Sequence, residues 1–250
     1  MRTLGQPRIH FATIDTTMRE AARLAQEGAA EGTLVTADEQ TAGRGRFGRQ
    51  WSSEAGVGLY FSLVLRPPVA PAASAAVTLA CGLGVARGVG DAAGVVCDIR
   101  WPNDVMLNEK KLAGILVEMT ADADRLRYVI VGVGINVNQQ SVPPELADIA
   151  TSLRIETGCD YLRDSLLEAV LRRMNDYYRM FVERGAQPVV EAFTRASSYA
   201  KGKRVVVEGA GRRLQGVTAG LDRTGQLLLR TDDGNIEPIL AGSVRPMVTD

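Results

Sequence analysis

The chain has 250 residues, 46% of them hydrophobic, and its 29 basic residues balance 29 acidic ones. That is enough chain to bury a full core in one large domain, or in a large domain and a small one. Zero formal charge excludes a global pull toward nucleic acid or an anionic membrane, so any such attraction has to be local.

The expected elements start with a strand over residues 8–14. Thr17-Met18-Arg19-Glu20 has the spacing of a capping box, opening a helix that Gly28 can close. A strand over 33–37 leads into Gly43-Arg44-Gly45-Arg46-Phe47-Gly48-Arg49-Gln50-Trp51, which contains three arginines, three glycines and no acidic residue. Glycine lets backbone N–H groups turn toward a ligand at little steric cost. Guanidinium forks bind carboxylate and phosphate oxygens bidentately and keep their charge. The stretch therefore reads as an anion site. Its first six residues match G-x-G-x-x-G, but a dinucleotide-binding loop opens a helix and expects an acidic residue about 20 positions on. Here a strand over 59–65 follows, and no Asp or Glu occurs from 55 to 90. A solvated basic loop or an RNA-binding Arg-Gly segment is the other reading, for which a neutral chain is a poor electrostatic footprint.

Residues 67–86 carry no charge and could span a bilayer by length. Their Ala, Gly, Ser, Val and Pro are too weakly apolar for that, so a buried small-residue helix is expected over about 72–89. Strands are expected over 105–107, 112–118 and 127–137, with Asn108-Glu109-Lys110 joining the first two as a hairpin. After Pro143-Pro144 the pattern turns helical. Leu162, Leu166, Leu167, Val170, Leu171, Met174, Tyr178 and Phe181 recur at helical spacing through 162–183. Tyr177 and Tyr178 read as core and rim there, and a short helix over 188–196 follows. Strands over 205–207, 214–221, 226–229 and 236–240, separated by turns at 209–211, 224–225 and 232–234, suggest a small β-barrel.

Three more motifs carry polar groups. In Arg100-Trp101-Pro102-Asn103-Asp104 the proline fixes the backbone and holds an amide and a carboxylate at a loop edge; an Asx-type turn is the plain alternative. The hairpin brings Lys111, at the head of Lys111-Leu112-Ala113-Gly114, back near Asn103 and Asp104. Gly132-Val133-Gly134-Ile135-Asn136 lies in an apolar strand, where two glycines imply a bulge or close approach by another molecule. The sole histidine, His10, has no nucleophile motif beside it and reads as structural. Cys81, Cys97 and Cys159 form no C-x-x-C pair, which points to reduced thiols in a cytoplasmic protein. Residues 1–11 lack the apolar run of a signal peptide.

In this order, the Arg-Gly stretch, Trp101-Pro102-Asn103-Asp104, Lys111-Leu112-Ala113-Gly114-Ile115-Leu116-Val117-Glu118 and Gly132-Val133-Gly134-Ile135-Asn136 closely resemble the biotin protein ligases. The resemblance implies an α+β fold: a mixed, largely antiparallel sheet with helices, like the class II aminoacyl-tRNA synthetases, over 1–198, and an SH3-like barrel over 199–250. It implies an enzyme that joins biotin to ATP, with Mg²⁺, as biotinyl-5′-AMP. Biotin then passes to a lysine of a biotin carboxyl carrier protein.

By the same resemblance, Thr17, Gln40, Gly43, Arg44, Gly114, Gly132 and Gly134 line the biotin site. Arg46 and Lys111 neutralise the reacting carboxylate and α-phosphate and so touch both ligands, with Lys111 as the first choice for the catalytic cation. Arg49, Trp51, Arg100, Asn103 and Asn136 fall on the nucleotide side, Mg²⁺ being held through the ATP phosphates rather than by a protein cage. Asp104 orients or deprotonates the acceptor lysine. Arg100 stands where the family usually has Lys, which keeps the charge and changes its shape. The first strand starts so early that the DNA-binding domain of many relatives is not expected, and with it no DNA partner; no membrane partner is expected either. Exposed strand edges leave a homodimer open. The rival readings are a lipoate or octanoate ligase of similar fold and a non-catalytic biotin-sensing regulator.

Overall fold

The structure is a computed structural model that describes residues 3–209 and 211–247; Met1, and Ala210 of the expected 209–211 turn, lie outside the described residues. β1 (Arg8–Ile14) falls where it was expected. α1 (Thr17–Gln26) is capped by Thr16, whose hydroxyl accepts from the Met18 N–H. The capping-box reading is off by one because the Thr17 N–H is engaged elsewhere, donating to Gln40 Oε1 at 2.8 Å. β2 (Leu34–Gln40) and β3 (Gly58–Leu65) follow, joined by the Arg-Gly loop with a single 3-10 turn at Arg46–Gly48. No α-helix opens there, so the dinucleotide-loop reading fails on structure as it did on sequence.

α2 (Ser74–Ala93) is the uncharged small-residue helix, and its glycines explain its composition. A Cβ on Gly84 would lie 2.5 Å from Met174 Cα, and one on Gly88 would lie 2.4 Å from Val170 Cα. The helix is thus buried against another helix. β4 (Asp98–Arg100), β5 (Asp104–Leu107), β6 (Lys110–Ala121) and β7 (Leu126–Asn136) complete a seven-stranded sheet ordered β1-β2-β3-β7-β6-β5-β4. β1 and β2 are parallel, and the other neighbours are antiparallel. β4 was not expected; three residues are too short for a period-2 signal.

A single helical turn, α3 (Leu153–Thr157), also unexpected, precedes α4 (Arg163–Arg184) and α5 (Ala186–Ala196). Leu162, counted above into the apolar stripe, is the N-cap of α4 and is 80% exposed. The helices α2, α4 and α5 cover one face of the sheet, where Phe61, Leu63, Val131 and Val133 join Leu83, Val170, Met174 and Phe193 in the main core. The opposite face carries α1, whose Met18, Ala21 and Ala25 pack on Val35, Val64 and Ile130.

β8 (Lys201–Gly209), β9 (Arg212–Leu221), β10 (Leu227–Thr231), β11 (Ile236–Ile239) and β12 (Ser243–Pro246) form an SH3-like antiparallel sheet ordered β11-β10-β9-β8-β12. β12 was missed, since Ser243-Val244-Arg245-Pro246 has one apolar position inside it. Val205, Leu227, Leu229 and Val244 belong to the main core, so the second sheet shares that core, and its turn at Gly225 meets Leu79 of α2 and Val190 of α5.

Candidate active site

The floor of the site is made by missing side chains. Gly114 on β6 pairs with Gly134 on β7, and Gly132 pairs with Leu116, which opens a trough on the face that carries α1. β3 and β7 pair in unbroken register from Gly58↔Asn136 to Leu65↔Val129, so the glycines do not mark a bulge there. They serve close approach instead. A Cβ on Gly134 would fall 2.4 Å from Trp51 Nε1, one on Gly114 would fall 3.0 Å from Trp51 Cζ3, and one on Gly132 would fall 2.7 Å from Met18 Sδ.

A bulge does occur one strand away, and it aims the lysine. Val105 pairs with Ala113, whereas Met106 pairs with Lys111. The extra residue lets Leu112 and Ala113 both enter the main core while Lys111 stays on the side of Gly114. Lys111 Nζ lies 2.7 Å from Asp104 Oδ1 and 5.3 Å from the Trp51 ring centroid. Arg100 Nη2 donates to Asp104 Oδ2 at 2.9 Å. Burial pushes the Asp104 carboxyl up, but the charges of Lys111 and Arg100 outweigh it and hold the group below its ordinary value. Asp104 is therefore an ionised anchor for two cations, which suits orientation better than proton abstraction.

The Arg-Gly loop folds back on itself. The Trp51 N–H donates to Gly43 O at 3.0 Å and the Gly45 N–H to Arg49 O at 2.7 Å. Arg46 Nη1 donates to Asn103 Oδ1 at 2.7 Å and to Gly242 O, from the second sheet, at 3.2 Å. Burial, then the nearby Arg49 charge, lower the Arg46 guanidinium pKa against the opposing pull of Asp104, without removing its charge. Arg44 pairs with Glu118 at 3.1 Å, and Arg49 stands exposed. Asn103 also donates from Nδ2 to Ile115 O at 3.0 Å, and Asn136 donates to Thr151 O at 2.8 Å.

Thr17, Gln40, Arg44, Arg46, Arg49, Trp51, Arg100, Asn103, Asp104, Lys111, Gly114, Gly132, Gly134 and Asn136 all line one cavity of about 620 Å³. Gly43 does not line it; its missing Cβ leaves room for Trp51 O, 2.4 Å from where that atom would be, and so lets the loop close. His10 is outside, bonded to Thr36 Oγ1 at 3.0 Å and paired with Asp38 at 3.3 Å. Sequence reasoning missed two lining segments, around 146–150 and 242–246. The first is strapped to Lys111, whose N–H donates to Ile149 O at 2.8 Å and whose carbonyl accepts from the Thr151 N–H at 3.0 Å. Pro143-Pro144 was the signal for a break there, but nothing in either segment spelled ligand chemistry.

Residues 10–136 match the biotin/lipoate A/B protein ligase family, and residues 202–245 match the biotin protein ligase C-terminal domain. The bifunctional ligase/repressor BirA of Bacillus spizizenii is 42% identical over 92% of this chain and 71% of its own length. The biotin–[acetyl-CoA-carboxylase] ligase of Mycobacterium tuberculosis is 34% identical over 89% of this chain and 82% of its own. The biotin protein ligase of Aquifex aeolicus, solved with biotin and ATP, superposes with a TM-score of 0.83 at 34% identity, covering 97% of this chain and 100% of that one. A glycine-floored trough, a lysine–aspartate–arginine cluster and an Arg-Gly loop over it agree with these matches, and the chain belongs to the biotin protein ligase family.

Proposed function

We propose that this chain adenylates biotin and then biotinylates a lysine of a carboxylase carrier domain. A biotin carboxylate oxygen attacks the α-phosphorus of ATP, pyrophosphate leaves, and biotinyl-5′-AMP forms. The carrier's ε-amine then attacks the mixed-anhydride carbonyl; AMP leaves and the amine proton passes to solvent. The observation that carries this reading is the single cavity that Arg46, Arg49, Arg100 and Lys111 line together with Thr17, Gln40 and the glycines of the trough.

In the first step a carboxylate approaches a phosphate, and two unit charges about 4 Å apart repel by roughly 4 kcal/mol at an effective dielectric of 20. Left uncompensated, that would slow the step about a thousandfold. Lys111 and Arg46 are placed to remove it. Trp51, resting on Gly114 and Gly134 rather than out beside Arg49, is better suited to walling the biotin tail than to holding the nucleotide. Asn103 acts on the nucleotide side chiefly by holding Arg46.

Among the described residues no three His, Cys, Asp or Glu side chains converge on a point, and Asp104 already faces two cations. Mg²⁺ therefore fits this site through the ATP phosphates, where it would offset their charge. Burial pushes the Cys81 and Cys97 thiols up to about 12, which leaves them unreactive as nucleophiles. The carboxylase acceptor is the class named in the activity of the relatives.

Biotin-dependent exchange between ATP and pyrophosphate tests the reading, with octanoate and lipoate run in parallel. Exchange with biotin alone is expected, and Lys111→Ala, which leaves Arg46 as the remaining cation, should lower it by about 10- to 1,000-fold with the far-ultraviolet circular dichroism unchanged. Exchange with octanoate or lipoate in place of biotin, or with none of the three, would overturn the assignment.

A further inference from the structure

Ser62 lies in β3, a strand in which every residue is buried, and has no exposed surface. A hydroxyl in such a place needs a partner. It has one: Ser62 Oγ is 2.8 Å from Thr17 Oγ1. The direction of the proton between them follows from the neighbours. The Thr17 backbone N–H can only donate, and it points at Gln40 Oε1 at 2.8 Å, which sets the oxygen of that amide toward Thr17. The amide nitrogen then faces the other way and donates to Ser53 Oγ at 2.9 Å, while Ser53 donates to Trp51 O at 3.3 Å. Gln40 Oε1 can only accept, so the Thr17 hydroxyl, 3.1 Å away, donates to it. Ser62 must therefore donate to Thr17.

With every proton assigned, Thr17 retains a lone pair and Gln40 retains one N–H, and both residues line the cavity. An acceptor beside a donor complements the N–H and C=O of a cyclic urea. We infer that Ser62 is a positioning residue for the urea end of biotin, acting through Thr17, whose hydroxyl it holds as an acceptor toward the ligand. The inference rests on the biotin reading of the cavity. Without Ser62 the Thr17 hydroxyl keeps only its 3.1 Å bond to Gln40 Oε1, so the orientation that turns its remaining lone pair toward the ligand is held less firmly.

The test is a double-mutant cycle read in ATP–pyrophosphate exchange. Ser62→Ala should raise the biotin KM about 5- to 10-fold, as expected for one misdirected hydrogen bond, leaving kcat at saturating biotin and the ATP KM within about twofold. Thr17→Val should raise the biotin KM at least as much. Adding Ser62→Ala to Thr17→Val should then change nothing further, because the hydroxyl it orients is gone. Should Ser62→Ala not fold, Ser62→Cys, a near-isosteric and weaker donor, replaces it in the cycle with the same expectation of non-additivity. A biotin KM unchanged in the Ser62 variant, effects that multiply fully, or an equal rise in the ATP KM would overturn the role of Ser62. Absence of biotin-dependent exchange in the unmutated protein would instead sink the ligase reading itself.

Discussion

At the scale of single residues, Gly134 shows how much of this site is defined by what is absent. Trp51 occupies the space that a side chain on Gly134 would need. Gly134→Ala should leave the fold intact, since β-sheet positions accept alanine, yet displace the ring and raise the biotin KM tenfold or more in pyrophosphate exchange. Asp104 is a second case. Its folded-state pKa lies below the ordinary carboxylate value of about 3.9, so the stability it contributes is present above that value and lost as pH falls through the lower, folded one. Asp104→Asn leaves two cations unpaired and should cost about 3 kcal/mol, the low end for breaking a buried pair, because Lys111 is partly wetted. In urea melts between pH 7 and pH 3, the gap between wild type and Asp104→Asn should hold steady down to about pH 4 and shrink below it. These two residues were legible in the chain as candidates. Their partners were legible only in part: the hairpin placed Lys111 near Asp104, as the structure bears out, but no local pattern says that Trp51 lies on Gly134 or that Arg100 shares the Asp104 carboxylate.

At the scale of elements, short motifs were read more reliably than the bends between them. The hairpin at Asn108-Glu109 was evident from its turn residues, and both indeed have positive φ. The bulge beside Lys111 was not evident, since Lys111-Leu112-Ala113-Gly114 has no glycine or proline at the bulged position. That bulge decides which face the lysine takes, because a one-residue slip reverses every side chain of a strand. In α2 the glycines were read as small-residue packing, and the structure supplies the partner in α4. Gly88→Ala should cost about 1–3 kcal/mol by urea unfolding, the usual cost of overpacking, since the added methyl meets backbone rather than a movable side chain. The Arg-Gly loop is held by few bonds of its own. Its amides between Gly43 and Trp51 should gain protection from hydrogen exchange when biotin and ATP are added together.

At the scale of the whole molecule, the two sheets share contacts that reach the site. Trp101 Nε1 donates to Gly225 O at 3.0 Å, and Arg46 donates to Gly242 O. Leu227, Leu229 and Val244 sit in the same core as Phe61 and Met174. Urea denaturation followed by near-ultraviolet and far-ultraviolet circular dichroism should therefore show one coincident transition rather than two.

What the chain alone determined was the chemistry: an anion loop of arginine and glycine, a lysine across a hairpin from an aspartate, and paired glycines in a strand. Those features are local, and residue type and spacing express them directly. What only the tertiary structure decided was who faces whom. The register of β6, the resting place of Trp51, the buried bond from Ser62 to Thr17, and the arrival of residues 146–150 and 242–246 at the cavity all depend on contacts between segments far apart in sequence. Such contacts follow from the packing of the whole core, which no single stretch of sequence encodes.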